Sequence, residues 1–347
     1  MIFCTKNNSN LNRESLKMTL SGELTKSPVS GVLVIDKSPG MSSFGAVLQV
    51  KKLLGVKKAG HTGTLDPFAT GVLVVCLEQA TRIIPFLEET TKEYWFTARF
   101  GVETDTWDSS GKVIFETTPG KVKPERIESV LKELMGEIEL PLPKYSAVKL
   151  NGKRMYKLAR KGVEFEPPKR KSTVFEIVMI HYNWPEVAFF TTCSKGTYVR
   201  SLAVVIGEKL GLPVYVKELR RLRSGCFTLD NAVTLENVKN LVKKYEVYPR
   251  VISMSAALGH LPAVEVSKTE SKIIRSGGAQ KVNLSSKITK IDKDSCKHVR
   301  ILCGKDDLVA IAKIDNRSGQ LKIIRVFPHF NALYDVDPAG KIRERLQ

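Results

Sequence analysis

A continuous apolar run from Gly71 to Leu77 is the part of the sequence that most restricts the fold. An apolar stretch of this length is typical of a strand that is buried on both faces. The polar segment 59–70 comes directly before it, and there Pro67 fixes its own φ and biases Asp66 towards an extended conformation. The sequence therefore predicts that Asp66 lies on a turn at the edge of a buried strand.

Asp66 by itself has two interpretations. A single Asp-Pro pair is most often a solvated turn. A carboxylate at the edge of a core can instead have its pKa changed by burial, which suits a group that takes part in chemistry. Gly60 and Gly63 are expected to supply positive φ in this turn, because glycine adopts it without a steric penalty. The rest of the chain has to decide between the two interpretations.

The order of predicted elements indicates the fold class. Strands and helices are interspersed between residues 31 and 243 without the regular βαβ alternation of a doubly wound sheet, which favours an α+β fold. One helix is expected to begin after Ser42 or Ser43 and to end near residue 54. Its predicted apolar face carries Phe44, Val47, Leu48 and Leu54.

The C-terminal part of the chain has a different pattern. From residue 261 onward, short predicted strands and one short helix form a small β-rich unit, consistent with a barrel-like RNA-binding module. We therefore expect a polar extension at 1–28, a main domain at 29–257, a smaller β-rich domain at 258–332 and a tail at 333–347.

The charge balance points to a polyanionic partner. The formal net charge is +19, with 37 basic and 26 acidic side chains in residues 1–249 and 18 and 10 in residues 250–347. The excess is thus spread over both parts of the chain. Nucleic acid is favoured over an anionic membrane, because no basic amphipathic helix stands out and no apolar run is long enough to span a bilayer.

The cysteine and histidine positions give no indication of a metal site. The six cysteines form no Cys-x-x-Cys pair, and the five histidines have no ligand spacing. Cys296, His298 and Cys303 lie near one another in sequence, but chance proximity is the better explanation. The thiols are expected to be reduced and the protein to be cytoplasmic, since the N-terminus also lacks a secretory signal pattern. A disordered tail is the simpler interpretation of residues 1–28, and an organelle transit peptide is the alternative.

Six segments between residues 31 and 225 resemble, in order, the motifs of the TruB family of pseudouridine synthases. They are GVLVIDKSPGMSS, KKAGHTGTLDPFATGVLVVCLEQATR, KEYWFTARFGVETDTWDSSG, KYSAVKLNGKRMYKLARKG, CSKGTYVRSLA and LRRLRSG. The resemblance implies a mixed, mostly antiparallel central sheet flanked by helices. The β-rich C-terminus resembles a PUA domain.

The resemblance also implies the reaction and its principal residues. The family isomerises a uridine in RNA to pseudouridine, by breaking the glycosidic bond and joining the ribose to C5 of the flipped base. Asp66 then corresponds to the essential catalytic residue, as nucleophile or as base. Arg200 is implied to pair with Asp66, and Tyr94 to stack on the uracil. The reaction has no redox or phosphoryl-transfer step, so no cofactor and no metal are expected.

Further residues are implied to contact the substrate. Leu219 corresponds to the apolar wall of the uracil pocket, and His61 to the side chain that fills the gap left by the flipped base. Tyr198 lies beside Arg200 in the matching motif, and Arg220 belongs to a basic run beside the pocket. Residues 144–171 hold ten Lys or Arg against two acidic residues and resemble the family's RNA-binding flap, at about 142–171. Its predicted phosphate contacts include Lys149, Lys153, Arg154 and Lys157.

We therefore expect a standalone, monomeric tRNA pseudouridine synthase that acts on the T-arm stem-loop without an obligatory protein partner or a membrane. One alternative is a guide-RNA-dependent relative of the dyskerin group, which the basic flap argues against. The other is a non-catalytic RNA-binding protein or tRNA-folding chaperone. The set of Asp66, Tyr94 and Arg200 argues against that as the sole role.

Overall fold

The computed structural model describes residues 30–87, 91–243, 250–284, 287, 297–315, 320–329, 335–336 and 342–343. The predicted extension at 1–28, most of the predicted tail, Cys4 and Cys296 lie outside these residues. Residues 30–331 form one compact unit. In the terminal unit, two short strands at 335–336 and 342–343 pair antiparallel with each other.

The elements follow one another along the chain as strands and mostly short helices. The strands are β1 (Gly31–Lys37), β2 (Ala59–His61), β3 (Thr70–Leu77), β4 (Lys92–Phe100), β5 (Val102–Thr104), β6 (Val113–Glu116), β7 (Gly136–Pro141), β8 (Lys149–Leu150), β9 (Lys153–Arg154), β10 (Lys169–Asn183), β11 (Glu186–Cys193), β12 (Val214–Ser224), β13 (Phe227–Thr228), β14 (Ala263–Glu265), β15 (His298–Cys303), β16 (Asp307–Ile314), β17 (Leu321–Val326), β18 (Asp335–Val336) and β19 (Ile342–Arg343). The α-helices are α1 (Ser43–Leu54), α2 (Ile84–Leu87), α3 (Pro124–Glu133), α4 (Met155–Ala159), α5 (Val199–Leu210), α6 (Leu235–Lys243), α7 (Met254–Ala257) and α8 (Lys268–Arg275).

The central sheet has the order β1-β3-β12-β4-β11-β10-β7, with β2 beside β3 and β13 beside β12. The pair β3–β12 is parallel, and the other neighbours in this sheet are antiparallel. The α+β fold with a mixed, mostly antiparallel sheet is thus confirmed. The predicted buried strand is β3, in which every residue from Val72 to Leu77 is fully buried.

Helix α1 begins and ends as its sequence predicts, but it buries a different face. The Ser42 side chain accepts from the Gly45 N–H, and Gly55 ends the helix with φ of 64°. The buried residues include Ala46 and Val47, whereas Phe44 is 65% and Leu48 is 46% exposed. The predicted apolar face is therefore wrong for Phe44 and Leu48.

The reason lies at the start of the helix. The Ser43 hydroxyl donates to the Leu65 carbonyl at 2.9 Å and accepts from the Leu65 N–H at 2.7 Å. These bonds fix the Ser43 side of α1 against the turn that carries Asp66. Ala46, Val47 and Val50 then follow on the same side at helical spacing.

The positive φ near Asp66 is found at a different glycine from those predicted. Gly60 lies in β2, and neither it nor Gly63 has positive φ. Gly71 does, with φ of 97°, and a Cβ there would lie 2.2 Å from the Arg221 carbonyl oxygen. Close packing against β12, rather than the turn alone, therefore requires glycine at this point.

The C-terminal unit contains an open sheet instead of the expected barrel. Its strands have the order β14-β15-β16-β17, and the residues described do not close into a barrel. Leu308, Ile311 and Phe327 pack in one cluster with Val32 and Val74 of the central sheet. Apolar residues from both sides of residue 257 thus share one core cluster. The domain boundary near residue 257 stays a prediction.

Three further features concern the whole described chain. None of its helices is long and apolar enough to cross a membrane. Its four cysteines, at 76, 193, 226 and 303, form no disulfide with one another. Within the same residues, no group of three or more His, Cys, Asp or Glu side chains is arranged to hold a metal ion.

Candidate active site

Asp66 lies on the connection between β2 and β3, which several backbone contacts hold in place. The Ala69 N–H donates to the Asp66 carbonyl at 3.1 Å, and the Gly40 N–H donates to the Pro67 carbonyl at 2.9 Å. The Asp66 side chain is 25% exposed. The carboxylate is therefore accessible from solvent while its backbone is fixed.

Arg200 connects Asp66 with a second carboxylate. It lies in the first turn of α5 and is 2% exposed. Its Nη2 is 2.9 Å from Asp66 Oδ2, and its Nη1 is 3.1 Å from Asp108 Oδ2. Nη1 also donates to the Thr106 carbonyl at 2.8 Å, and Nη2 to the Tyr145 carbonyl at 3.3 Å. The expected contact of Arg200 with Asp66 is thus present, and Asp108 shares it.

The pKa of Asp66 results from opposing contributions. Burial raises this pKa above its usual range, Arg200 lowers it, and the Asp108 charge raises it. An opposite charge within hydrogen-bond distance favours the ionised form, whereas burial and a like charge disfavour it. The protonation of Asp66 therefore depends on both partners in this Asp66–Arg200–Asp108 network.

Tyr94 is a buried phenol in β4, and it lies opposite Arg221 of β12. Burial raises the pKa of Tyr94, while the charge of Arg221 and a hydrogen bond with it lower that pKa. Asp66 also raises the Tyr94 pKa, so the two groups affect each other electrostatically. Leu219 is buried on the same strand as Arg221, opposite Phe96.

Lys37 donates hydrogen bonds to the backbone on either side of the site, including the residue after Asp66. It is fully buried at the end of β1, and its Nζ donates to the Met41, Ser38 and Pro67 carbonyls at 2.8, 3.0 and 3.2 Å. Burial lowers the pKa of Lys37 to about 8, against the Asp66 charge, which raises it. One ammonium group thus joins the loop after β1 to the residue that follows Asp66.

Replacing Lys37 by methionine should lower the free energy of unfolding by about 1–3 kcal/mol, because buried carbonyls lose their donor. The difference from the wild type should grow as the pH rises from about 8 to 10.5. In that range the unfolded chain keeps a proton on Lys37 that the folded chain has lost, so raising the pH favours the wild-type folded state. Denaturant unfolding at several pH values measures this.

The matched control is Lys52→Met, at an exposed position of α1. Its free energy of unfolding should stay within about 0.5 kcal/mol of the wild type at each pH. A Lys37→Met protein that is as stable as this control would show that the three carbonyls do not need the ammonium group.

Tyr198 lies near the network and His61 near Arg221, and both side chains are partly enclosed. His61 is half-buried in β2, its Nδ1 has no hydrogen-bond partner among the described residues, and burial lowers its pKa. Tyr198 immediately precedes α5, where burial and the Asp66 charge raise its pKa and a hydrogen bond with Ser146 lowers it. The predicted contacts of both side chains with RNA stay predictions.

The basic run of β12 is not a free cationic patch. Arg220 forms a bidentate ion pair with Asp36, at 3.0 and 2.8 Å. Lys217 pairs with Glu186 at 2.7 Å. Arg223 also forms an ion pair, in which its Nε is 3.1 Å from a carboxylate oxygen of Glu93. Other strands of the same sheet therefore supply carboxylates to this basic run, and the predicted contact of Arg220 with the substrate stays a prediction.

A cleft of about 610 Å³ adjoins the network without containing it. Its walls include Pro67, Trp95, Ser109 and Leu219, but not Asp66, Tyr94 or Arg200. Pro67 and Ser109 directly follow the two carboxylates of the network. The cleft thus shares walls with the candidate site, and its position alone does not define where a base would bind.

The basic flap is an exposed segment whose two ends are joined by a backbone hydrogen bond. The Leu142 N–H donates to the Pro168 carbonyl at 3.1 Å. In the short hairpin of β8 and β9, Lys149 lies directly opposite Arg154. Like charges in this arrangement repel each other, and an anion would relieve the repulsion. The predicted phosphate-contacting side chains are all exposed: Lys149, Lys153, Arg154 and Lys157.

Sequence reasoning missed Lys37 and Asp108, and it included Arg221 only as a member of the basic run beside the pocket, with Lys217, Arg220 and Arg223. Asp108 lies in a segment whose sequence predicts only a turn. Lys37 is separated from the apolar residues of β1 only by Asp36, and this apolar context is the one local signal that it is buried. For Arg221, the signal is Gly71, whose positive φ and close approach to the Arg221 backbone require glycine. The sequence alone does not show which strand comes this close to Gly71.

Comparison with known families gives two adjacent matches. Residues 51–199 match the family described as "TruB family pseudouridylate synthase (N terminal domain)". Residues 200–255 match "tRNA pseudouridylate synthase B C-terminal domain". Together the two matches contain Asp66, Tyr94, Arg200 and Leu219.

Individual relatives extend the similarity beyond these segments. A protein of Syntrophobacter fumaroxidans named tRNA pseudouridine synthase B is 47% identical over 68% of this chain and 78% of its own length. One of Syntrophus aciditrophicus with the same name is 40% identical over 85% of this chain and 94% of its own length. Among solved structures, a chain of a Cbf5-Nop10-Gar1 complex aligns over 86% of this chain and 85% of its own, with 30% identity and a TM-score of 0.65.

Proposed function

The chain belongs to the TruB family of pseudouridine synthases, and we propose that it converts the uridine of the T-arm loop of tRNA to pseudouridine. As an isomerase of this family it breaks the glycosidic bond and joins C5 of the base to the ribose. The tRNA substrate follows from relatives named tRNA pseudouridine synthase B. The T-arm loop as the target is the more specific part of the proposal.

The observation that carries the proposal is the Asp66–Arg200–Asp108 network beside Tyr94. It provides a carboxylate that is 25% exposed, on a fixed turn, with a buried guanidinium at 2.9 Å. Such a carboxylate can act as nucleophile towards the sugar or base, or as a general base. The neighbouring phenol of Tyr94 can stack on a flipped pyrimidine, because every base has a π-face.

We further propose that the protein acts as a monomer, without an obligatory protein partner. The relatives named above are bacterial enzymes whose names mention no partner, and their origin favours a cytoplasmic location. The structural relative in the Cbf5-Nop10-Gar1 complex belongs to a multiprotein assembly. The exposed basic flap favours direct RNA binding by this chain, since its charges are available to phosphates.

The deciding experiment uses the purified protein alone with a synthetic T-arm stem-loop. We expect conversion of the loop uridine, and no conversion when that uridine is replaced by cytidine. Activity that appears only after addition of a guide RNA and partner proteins would favour the dyskerin-type alternative. RNA binding without any conversion would favour a chaperone.

Neutralising the flap should weaken RNA binding and reduce its dependence on salt. Replacing Lys149, Lys153, Arg154, Lys157 and Arg160 by glutamine removes basic side chains, and every phosphate that loses its cationic partner should lower the logarithmic salt slope by about 0.7–0.9. Affinity for the T-arm stem-loop, measured over a range of salt concentrations, tests this.

The control for the flap replaces three exposed lysines in and before α3 by glutamine, at positions 121, 123 and 132. It lowers the net charge without changing the flap. Because salt slopes report phosphate contacts rather than overall charge, the control should keep the wild-type slope. Equal slopes for the flap variant and the wild type would show that the flap does not contact phosphates.

A further inference from the structure

Arg221 has a buried guanidinium that holds both ends of the loop carrying Asp66. The residue is 2% exposed in β12. Its Nε donates to the Val72 carbonyl at 2.7 Å, and its Nη2 donates to the Gly63 carbonyl at 3.1 Å. Gly63 precedes Asp66 in the chain and Val72 follows it. One side chain therefore fixes the points at which this loop leaves and rejoins the sheet.

The same guanidinium reaches the second principal side chain of the site. Tyr94 lies directly opposite Arg221 in the antiparallel pair of β4 and β12. The charge of Arg221 lowers the pKa of the Tyr94 phenol, which burial raises. Arg221 thus holds the Asp66 loop by hydrogen bonds and acts electrostatically on Tyr94, its cross-strand neighbour.

Packing alone does not explain a charge at this position. Among the described residues, no carboxylate forms an ion pair with Arg221. A buried charge without a counter-ion is unfavourable, and apolar residues of similar volume often stabilise a fold at least as well. The backbone is also constrained, because a Cβ at Gly71 would lie 2.2 Å from the Arg221 carbonyl oxygen. The hydrogen bonds of the guanidinium to the Val72 and Gly63 carbonyls, and not packing alone, therefore explain an arginine at this position.

We propose that Arg221 is a positioning residue for the isomerisation, which holds the Asp66 loop and the Tyr94 side chain in one fixed arrangement. It acts through these two groups and not by touching the RNA, since it is enclosed by β3, β4 and the loop. This inference rests on the proposed function, because it assigns Arg221 to the same reaction. A displacement of about 1 Å in a reacting group can slow an enzyme about a hundredfold.

The test compares Arg221→Lys and Arg221→Met with the wild type on a T-arm stem-loop. Lysine keeps the charge but lacks the fork that reaches two carbonyls, and methionine keeps only the apolar stem. Both variants should slow single-turnover conversion about a hundredfold or more. Affinity for the stem-loop should stay within about threefold, because the substitutions leave every phosphate-binding side chain in place. A loss of affinity as large as the loss of rate would overturn the positioning role.

The matched control is Arg223→Lys, on the same strand. Arg223 is exposed and paired with Glu93 at 3.1 Å, and the Arg223→Lys protein should convert the stem-loop at the wild-type rate. Thermal melting of all variants reports folding. If neither Arg221 variant folds, the residue is needed for the fold itself and the proposal is overturned.

A double-mutant cycle separates positioning from a general loss of structure. Tyr94→Phe removes only the hydroxyl whose pKa Arg221 lowers. If Arg221 acts partly through this hydroxyl, Arg221→Lys and Tyr94→Phe together should slow the reaction by less than the product of their separate effects. If the effects of the two substitutions on the rate simply multiply, Arg221 does not act through the Tyr94 hydroxyl. A wild-type protein that converts no uridine would contradict the proposed function, whereas an Arg221→Lys protein at the wild-type rate would overturn this inference alone.

Discussion

Replacing Asp66 by asparagine is expected to abolish pseudouridine formation while leaving RNA affinity within about tenfold of the original. Asparagine keeps the shape of the side chain, but it is neither a nucleophile nor a base and carries no charge for Arg200, which lies 2.9 Å from the carboxylate. We assign at most about 1.4 kcal/mol, a factor of ten, to the contact of Asp66 with RNA. Single-turnover conversion and binding are measured on the same T-arm stem-loop.

An exposed aspartate elsewhere in the same domain provides the control. Asp230, in the 3₁₀ turn after β13, has no contact with the network, so Asp230→Asn should convert the stem-loop normally. Measurable turnover by pure Asp66→Asn protein would show that the carboxylate is not essential. Loss of binding in parallel with loss of turnover would instead place Asp66 among the residues that hold the RNA.

The elements that sequence reasoning placed correctly are those with local signals. The start of α1 follows from Ser42, whose side chain caps the helix, and its end follows from Gly55 with φ of 64°. Capping side chains and left-handed glycines act over only a few residues, so the sequence is sufficient to show them.

The contacts that the sequence did not predict join residues that are far apart in the chain. The ion pair of Arg220 with Asp36 joins residues 184 positions apart, and the bond from Arg221 to Gly63 spans 158. Both depend on β12 lying beside β3, which in turn lies beside β1. A strand order of this kind is not contained in the periodicity of any one strand. A basic run could therefore be predicted, but not the carboxylate that neutralises it.

Asp108 shows how a site residue can be concealed by a local role. Its Oδ1 accepts from the Thr106 hydroxyl at 2.8 Å and from the Ser110 N–H at 3.0 Å, as turn aspartates commonly do. Its Oδ2 lies 3.1 Å from Arg200. The turn explains the residue type completely from the sequence, so nothing indicates the second contact until the fold brings α5 next to this turn.

Arg200→Lys should slow conversion about a hundredfold while RNA affinity changes little. The two Nη atoms of Arg200 serve Asp66 and Asp108 at the same time and also donate to two backbone carbonyls. A lysine ammonium is a single point and cannot reproduce this planar fork, so Asp66 would lose its fixed position. If lysine supports wild-type turnover, a single buried positive charge is sufficient at this position and the planar fork is not required.

Removing either of the two charged partners of Asp66, Arg200 or Asp108, is expected to change the pH dependence of the rate in opposite directions. If the reaction requires ionised Asp66, the rate falls as the pH falls through the pKa of Asp66. Arg200 lowers this pKa, so Arg200→Met should move the acid limb to higher pH. Asp108 raises the same pKa, so Asp108→Asn should move the acid limb to lower pH. Single-turnover rates across pH measure both displacements.

This pair of displacements distinguishes electrostatic control of Asp66 from general disruption of the site. Both substitutions remove one partner from the same buried ion-pair network and both should reduce the rate, because each loosens Arg200 or removes it. Disruption alone would lower the rate equally at every pH. Displacements in the same direction for Arg200→Met and Asp108→Asn would mean that another group sets the acid limb, and Asp66 would then not be the residue whose ionisation controls the reaction.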